Sequence, residues 1–450
     1  MGPAEVTPLC GTSAPLRLLG LAGDERLMDL TRIGDRYYVT VRIGSEYADP
    51  TMTYGVGLCG EDPRVVAEDL RRPPFTLTPW PDTPVACRGP DHVRCDLVSL
   101  DPSGDLAPTL LAPAPPGVIV GPMLPIDDGL LIVVVGIGEV DTFFTHYRFS
   151  DGPTPALTAG VSIDEVASAY AIAGDDLFLV TIDDSALLRV SLADGSTSVE
   201  ASSASDIAAS ATHLLYTTSG DPSGVFLRER ETGIETLLAD CQSDLDLDAR
   251  TARVACINDD GGTIVDLGSG AQVSYGPGRR VSRQINDGRW LLTIDYTPDA
   301  LLDVLSGVET ELAVPPGSAV AEADALLVWQ RNASASPDSE ESLLEVPYDG
   351  GPAERIARRA SRDALRLSDG RVVTDVALDD GSRGLVAVER GSLDERLIDT
   401  AVTFFTDGDL DFAYVSRPAD ATLDPDVIAY QVDDGERSGI YLVALGEGGG

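Results

Sequence analysis

The 450-residue chain contains no lysine, and all 32 of its basic residues are arginine. It has three histidines and 6% aromatic residues, and its longest apolar run, Leu130 to Ile137, is only as long as one strand. A membrane-spanning helix needs about 18 consecutive apolar residues, so the sequence predicts no transmembrane segment. A mean hydropathy of +0.03 and 43% hydrophobic residues indicate a folded globular chain.

Positive charge is scarce, because 74 acidic residues, 52 of them Asp, give a formal net charge of -42. Such a surface repels nucleic-acid phosphates and anionic membranes, so we expect neither as a partner. An acidic, lysine-free surface suits a halophilic protein, because ~1 M salt screens repulsion beyond about 3 Å. A GC-rich genome, which favours arginine codons, is an equally good explanation and is compatible with the first.

Six cysteines are present without a C-x-x-C pair, which argues against zinc clusters and thioredoxin-like motifs. The most local of the 15 possible pairings joins Cys87 to Cys95, Cys241 to Cys256, and Cys10 to Cys59. Disulfides form in oxidising compartments, so this pairing predicts an extracellular or periplasmic protein. Six buried free thiols in a cytosolic protein are the alternative.

A pattern of apolar strands separated by loops recurs along the chain, and one strand of each unit ends at a glycine. The eight glycines that align the repeat are Gly104, Gly152, Gly195, Gly233, Gly270, Gly307, Gly350 and Gly391. Their spacings of 48, 43, 38, 37, 37, 43 and 41 residues, with only strand-like segments between them, are typical of β-propeller blades. The sequence therefore predicts an all-β propeller of four-stranded blades.

A second marker, Asp-Gly or a close variant, lies between the first two strands of several units, as in Asn286-Asp-Gly-Arg289 and Ser368-Asp-Gly-Arg371. Asp-Gly favours a tight hairpin because Gly tolerates positive φ. The most apolar strand follows the marker, as in Leu326-Leu-Val-Trp329, which indicates a strand covered on both faces. The outer strand alternates, as in Glu235-Thr-Leu-Leu238.

The order of these elements resembles the propeller repeat of TolB-like proteins. The segment from Asn286 to Leu312, which contains Asn-Asp-Gly-Arg-Trp-Leu-Leu-Thr-Ile and then Leu-Ser-Gly-Val-Glu-Thr-Glu-Leu, is the clearest copy. The resemblance covers residues 125–445 well and the first 120 loosely. It implies a blade architecture and no particular activity, since propellers of this kind are mostly interaction platforms with some catalytic members.

Ten candidate first strands are recognisable, and we expect one closed ring of seven to ten blades. They start near Arg36, Thr83, Leu130, Leu177, His213, Thr251, Arg289, Ala325, Arg371 and Leu410. The last unit stops after its third strand, Gly439 to Leu445, and the segment Pro15 to Leu19 is predicted to supply the missing outer strand. The expected organisation is an N-terminal segment 1–13, a single propeller 14–445 and a Gly-rich tail 446–450. Two smaller propellers in tandem are the alternative.

Catalytic signals are sparse in this sequence. His92, His146 and His213 fall in different repeats, and no H-E-x-x-H, G-x-S-x-G or P-loop motif is present. The runs around Arg279 and Arg355 to Arg359 are the only basic concentrations, and we expect them to pair with the abundant carboxylates. The sequence therefore leaves both the catalytic residues, if the protein is an enzyme, and the binding residues unidentified.

Calcium is the one cofactor that the sequence suggests. Asp407, Asp409 and Asp411 alternate within an Asp-Gly hairpin marker, and Asp244 to Asp248 repeats the same spacing. Three carboxylates at such spacing in a loop can converge on a cation that prefers six to eight oxygen ligands. Neither stretch has the complete loop motif, and a solvated turn or strand face in a very acidic protein is the alternative.

Two functions fit these observations. The first is a non-catalytic, secreted or surface-associated propeller that binds a protein or glycan ligand through its loops. The second is an extracellular hydrolase or lyase whose channel carboxylates perform the chemistry, since a glycosidase needs only two suitably spaced acids. An enzyme should show carboxylates clustered at the channel mouth, at least one of them with a pKa raised by burial.

Overall fold

A computed structural model shows how the chain folds. It describes residues 2–3, 9–11, 14–44, 49–70, 78–79, 84–88, 96–101, 108–112, 118–126, 129–136, 142–149, 157–163, 167–218, 224–238, 243–248, 253–258, 261–266, 272–286, 288–294, 297–322, 324–330, 341–361, 364–367, 369–403 and 427–445. Apart from a 3-10 helix at Gly435–Arg437, the regular structure in these residues is β-strand.

The strands form ten antiparallel four-stranded sheets, here called blades 1 to 10 in chain order. The first five are blade 1, Glu25–Ile33, Arg36–Ile43, Thr51–Gly57 and Arg64–Glu68; blade 2, Thr78–Pro79, Pro84–Arg88, Asp96–Ser99 and Thr109–Ala112; blade 3, Val118–Ile126, Gly129–Gly136, Thr142–Phe149 and Leu157–Ile163; blade 4, Ala167–Ala173, Asp176–Thr181, Leu187–Ser191 and Thr197–Ala201; blade 5, Asp206–Ala209, His213–Thr218, Gly224–Glu229 and Glu235–Leu238.

The other five are blade 6, Ser243–Asp248, Arg253–Asn258, Gly261–Asp266 and Gln272–Tyr275; blade 7, Arg280–Asn286, Arg289–Ile294, Thr297–Asp303 and Val308–Glu311; blade 8, Ser318–Ala321, Ala325–Gln330, Glu341–Pro347 and Glu354–Ala360; blade 9, Leu365–Arg366, Val372–Ala377, Arg383–Val388 and Glu395–Thr400; blade 10, Val402–Thr403, Val427–Val432, Gly439–Ala444 and Leu16–Gly20. A short strand, Gly2–Pro3, adds in parallel to the outer edge of blade 9. The fold is the predicted β-propeller, and its blade number lies within the predicted range.

Blade 10 combines both ends of the described chain. Leu16–Gly20 pairs antiparallel with Gly439–Ala444, with Leu16 opposite Leu442. Leu18 and Ile440 of this blade pack in one apolar cluster with Val39 and Val56 of blade 1. The last blade therefore packs against the first, so the ring closes and the outer strand of blade 10 comes from the start of the chain.

The core is distributed between the blades. Among the described residues, nine clusters of buried apolar side chains each join two neighbouring blades. The second strands contribute most, as expected from their continuous apolar sequences, and all six residues of Asp176–Thr181 are buried. Trp290, which is fully buried, packs against Ile264 and Tyr275 of the preceding blade.

The predicted first strands are the second strands of the blades. Nine of the ten predicted starts lie within two residues of a second strand, from Arg36–Ile43 to Val372–Ala377. Some of the true first strands, such as Ser318–Ala321, are short, rich in small residues and partly exposed, so they lack the apolar run that identifies a buried strand. Leu410 lies outside the described residues, and blade 10 has its second strand at Val427–Val432 instead.

Turns and closing contacts follow the predicted glycine positions. Gly288 (φ 80°) and Gly370 (φ 83°) occupy the hairpins between first and second strands, where positive φ requires glycine. Gly60 has φ 78°, and a Cβ there would lie 2.6 Å from the carbonyl oxygen of Arg17. A side chain at position 60 would therefore push the blade 1 turn away from the closing strand.

Candidate functional site

The structure places only some of the predicted site residues. Cys10 and Cys59 form the predicted disulfide, with their Cα atoms 5.6 Å apart. Cys87 and Cys256 lie in second strands, but the structure does not describe their side chains. Cys95 and Cys241 lie outside the described residues. The other two predicted bridges therefore stay predictions.

The acidic stretches have no described metal geometry. Asp407, Asp409 and Asp411 lie outside the described residues. The second stretch, Asp244 to Asp248, lies within the first strand of blade 6 rather than in a loop. In the part of the chain that the structure describes, no three His, Cys, Asp or Glu side chains are grouped to hold a metal ion. Calcium therefore stays a hypothesis.

Two of the three histidines are described, and each has a local contact. His146 is fully buried, and its Nδ1 lies 2.8 Å from the carbonyl oxygen of Leu192 in the next blade. His213 Nδ1 forms a 2.8 Å hydrogen bond with the hydroxyl of Thr212. His92 lies outside the described residues. The contact of His146 is between blades and explains its burial without a catalytic role.

An open cleft lies between blades 4 and 5, with a volume of about 670 Å³. On blade 4, Asp176 is opposite Ser191, and Arg189 is opposite both Phe178 and Ser198. Directly opposed residues of an antiparallel sheet share one face. Phe178 packs against Leu214 and Tyr216 of blade 5, so this face is turned towards blade 5 and gives the cleft its polar wall.

Asp176 is the central group of the cleft, and its side chain is only 9% exposed. One of its oxygens, Oδ2, accepts contacts from Arg230 of blade 5 at 2.6 Å and from Arg189 of its own blade at 2.8 Å. A buried carboxylate is stable when it is paired in this way. The blade 4–5 seam therefore holds an Arg-Asp-Arg group at the floor of the cleft.

The two arginines differ in what remains of their hydrogen-bonding capacity. Arg230 also donates to the carbonyl oxygens of Ala173, Ser210 and Ala211 at 2.9–3.3 Å, and its guanidinium carbon lies 5.2 Å from the Phe178 ring centroid. Arg189 is 48% exposed. Its hydrogen bond to Asp176 is the main reason that its pKa is raised, so Arg189 stays charged.

Small hydroxyl side chains form the outer wall of the cleft, contributed by Ser191, Ser196, Thr197 and Ser198. Ser196, Thr197 and Ser198 are exposed. Each hydroxyl can both donate and accept a hydrogen bond. Thr197 is opposite Val190, which packs towards blade 3, so Arg189 lies beside two exposed hydroxyls of the cleft face, those of Ser196 and Ser198. This arrangement is suited to binding a polar ligand.

Sequence reasoning missed this group because its members do not form a local motif. Asp176 follows the Gly174 turn in a variant of the hairpin marker. Arg189 is the middle residue of the third strand Leu187–Ser191, and Arg230 directly follows the third strand Gly224–Glu229. Arginine does recur beside the third-strand leucine, as in Leu188-Arg189 and Leu227-Arg228. On blade 5 that recurrence marks Arg228, which pairs with Glu200, so the sequence offered a signal for Arg189 but none for its partner Arg230.

Most other described arginines pair with carboxylates, as expected from the charge balance, and several of the pairs cross a seam between blades. Arg279 contacts Asp299 at 2.6 Å, and Arg359 of blade 8 forms a two-pronged contact with Glu395 of blade 9. One arginine of each basic concentration noted in the sequence, Arg279 and Arg359, is therefore paired as expected. The Arg279 pair lies within blade 7 and the Arg359 pair crosses the seam between blades 8 and 9, which leaves the blade 4–5 cleft as the better candidate for binding.

One carboxyl has the raised pKa expected of a catalytic acid, but not the position. Burial raises the pKa of Asp29 to about 6, although the hydroxyl of Thr31 donates to it at 3.3 Å. Asp29 is opposite Thr40 in blade 1, and only 5% of it is exposed. Since it has almost no contact with solvent, a substrate in a cleft would not reach it.

No known family profile matches this sequence, and no characterised protein matches it significantly in sequence. Solved structures similar to this chain include the tricorn protease, with 11% identity, 84% of this chain covered and a TM-score of 0.23. Apo AztD from Citrobacter koseri has 12% identity and a TM-score of 0.33, and the match covers 65% of this chain and 94% of that chain. The dihydro-heme d1 dehydrogenase NirN in complex with DHE has 15% identity and a TM-score of 0.34, and the match covers 72% of this chain and 74% of that chain.

This chain spans 44% of the tricorn protease chain. The resemblance to TolB-like repeats holds for the fold alone, and it rests on the ring of four-stranded blades in this chain. With identities and TM-scores this low, the likeness does not extend to anything that these proteins bind or catalyse. The described residues contain no helix that is long and apolar enough to cross a membrane.

Proposed function

We propose that this protein is a non-catalytic, secreted or surface-associated β-propeller that binds a protein or glycan ligand in the cleft between blades 4 and 5. The observation that carries the proposal is the half-exposed Arg189, fixed by Asp176 beside a wall of hydroxyls. These groups supply hydrogen bonds and one fixed charge. The buried carboxylate is held by two arginines, an arrangement better suited to holding a cation in place than to accepting a proton.

The compartment is part of the same proposal. The Cys10–Cys59 disulfide, with both cysteines on the surface, supports an oxidising environment. The net charge of -42 disfavours nucleic acids and anionic membranes as partners. An extracellular or periplasmic ligand that is neutral overall, or that carries few charges, is consistent with both observations.

The test is an array of immobilised neutral, amino and acidic glycans, probed with the labelled wild-type protein and with Arg189→Gln. A matched control is Arg289→Gln, because Arg289 is 47% exposed and has one carboxylate neighbour, Asp303, in blade 7. We expect binding that is lost in Arg189→Gln and kept in Arg289→Gln. Binding that Arg189→Gln leaves unchanged would place the working surface elsewhere.

The alternative hypothesis, an extracellular hydrolase or lyase, is tested on the same glycans in solution. Each is incubated with the protein, and new reducing ends are measured over hours. We expect none above the rate without protein. Steady release of reducing ends would contradict the non-catalytic proposal and favour catalysis by the channel carboxylates.

A further inference from the structure

We infer that the cleft between blades 4 and 5 recognises a sugar carboxylate, with Arg189 as the residue that binds it. This inference rests on the proposed function and names its ligand class. The cleft volume of about 670 Å³ lies within the range of about 300–1,000 Å³ that is usual for small-molecule sites. One or two sugar units fit such a space.

The first argument is the contrast between the two arginines on Asp176. Arg230 donates to four oxygen acceptors and lies over an aromatic ring, so its guanidinium is used by the fold. Among the described residues, Arg189 has a single close oxygen contact, on one of its terminal nitrogens. A guanidinium has five N–H donors in a planar fork, so most of the Arg189 donors remain for a ligand.

The second argument is that Arg189 is held in place before any ligand arrives. Asp176 fixes one guanidinium nitrogen, and Arg230 in turn fixes Asp176. Preorganisation of this kind reduces the entropy lost on binding. A planar guanidinium fork matches a carboxylate, which can accept two parallel hydrogen bonds from it. Asp176 and Arg230 are therefore positioning residues, and Arg189 is the binding residue.

The third argument is the composition of the wall. Ser196 and Ser198 offer exposed hydroxyls next to Arg189, and Ser198 is directly opposite it in the sheet. Hydroxyl groups of a sugar pair with hydroxyl side chains as both donors and acceptors. An acidic peptide would present one carboxylate and otherwise apolar or amide groups, which use these hydroxyls less completely. A sugar acid uses both parts of the cleft.

The strongly negative chain does not prevent this recognition. Asp175, Asp176, Arg189 and Arg230 line the cleft, and their formal charges sum to zero, so the cleft itself is neutral. Glu200 also interacts with Arg189, but its own charge is paired with Arg228 at 2.6 Å. Repulsion from more distant carboxylates is screened beyond about 8 Å at physiological ionic strength. A carboxylate in contact with Arg189 is much closer to that guanidinium, so the local attraction outweighs the distant repulsion.

The test uses methyl β-D-glucuronide and methyl β-D-glucoside, which differ only in a carboxylate against a hydroxymethyl group. Binding of each to the full chain is measured by calorimetric titration at ~0.15 M NaCl. A hydrogen-bonded charge pair predicts about tenfold or more tighter binding of the glucuronide. We expect Arg189→Gln to abolish this preference and Arg289→Gln to keep it, with both variants melting close to the wild type.

Four other outcomes overturn the inference. Equal binding of the two sugars, or a preference that survives in Arg189→Gln, would show that Arg189 does not read the carboxylate. Equally tight binding of N-acetyl-glutamate amide would show a carboxylate site without a sugar requirement. Absence of binding by either sugar rejects the sugar-acid ligand, while array binding that depends on Arg189 would leave the proposed function standing.

Discussion

Removing the Cys10–Cys59 disulfide is the sharpest test of how the ring is closed. Cys59 lies in the turn between the third and fourth strands of blade 1, and Cys10 precedes the closing strand Leu16–Gly20 of blade 10. The bridge therefore ties the segment that closes the ring to the next blade. The perturbation is the double variant Cys10→Ser/Cys59→Ser, which leaves no odd thiol behind.

The expected loss follows from the size of the loop. The two cysteines are 49 residues apart, and the chain-entropy relation gives about 4 kcal/mol for a loop of this length. An unfolding entropy of about 2.1 cal/mol/K per residue gives about 0.9 kcal/mol/K for the 450-residue chain. The double variant should therefore melt about 4 °C lower if the ring unfolds as one unit.

The assay is differential scanning calorimetry of wild type and double variant, each with and without a phosphine reductant. Reductant should lower the wild-type Tm by at least the loss in the double variant, and any further change in the variant reports the other four cysteines. A double variant that melts within about 1 °C of the oxidised wild type would refute the reasoning. In that case strand pairing and the blade 10–blade 1 cluster would close the ring without the bridge.

Four further expectations concern stability. Burial raises the Asp29 pKa from 3.8 to about 6, so its stabilising contribution is complete below pH ~4 and is lost as pH rises through 6. Asp29→Asn should therefore raise the free energy of unfolding by up to about 3 kcal/mol at pH 7.5 and by little at pH 4. Equal shifts at both pH values in a melting series would contradict this. In denaturant unfolding, Arg230→Gln should lower the free energy of unfolding by about 2 kcal/mol or more, and Arg189→Gln should lower it by less than about 1 kcal/mol. The reverse order would contradict the roles assigned to the two arginines. After EDTA treatment, millimolar Ca²⁺ should raise the Tm of the wild type but not of Asp409→Ala, because a ligand at 100-fold over Kd adds about 2.7 kcal/mol to the free energy of unfolding. An unchanged wild-type Tm would contradict the calcium hypothesis. The wild type should melt higher in ~1 M than in ~0.05 M NaCl, and an equal or lower Tm would count against halophilic adaptation.

The elements that sequence reasoning found are those whose signal lies within a few residues. An apolar run such as Leu326 to Trp329 is a second strand because both of its faces are covered by neighbouring blades. The Asp-Gly marker before Arg289 is a hairpin because Gly288 requires positive φ. The closing strand was also predictable, because the last repeat lacks its fourth strand and Leu16–Gly20 has strand character.

The elements that it missed depend on contacts between repeats. A first strand such as Ser318–Ala321 has one face half-exposed, so its sequence carries no long apolar run. Asp176 and Arg230 are 54 residues apart, and Arg359 and Glu395 are 36 apart, so each pair is local only once the blades are stacked. The binding cleft also depends on contacts between repeats, since its lining residues come from two blades and are spread between Ala173 and Arg230.

The shared blade 10 has a consequence for the order of events during synthesis. Leu16 reaches its partner Leu442 only after that residue has been made. At roughly 5–20 residues per second, the closing strand waits about 20–85 seconds, longer than most single domains need to fold. Throughout that time Leu16–Gly20 is a strand without a partner, and blade 1 has an uncovered apolar face. Until it is complete, the chain is therefore an open arc that exposes an unpaired strand and an apolar blade face, both of which can associate with other chains. We expect it to need protection from aggregation, for example by a chaperone, until the ring closes.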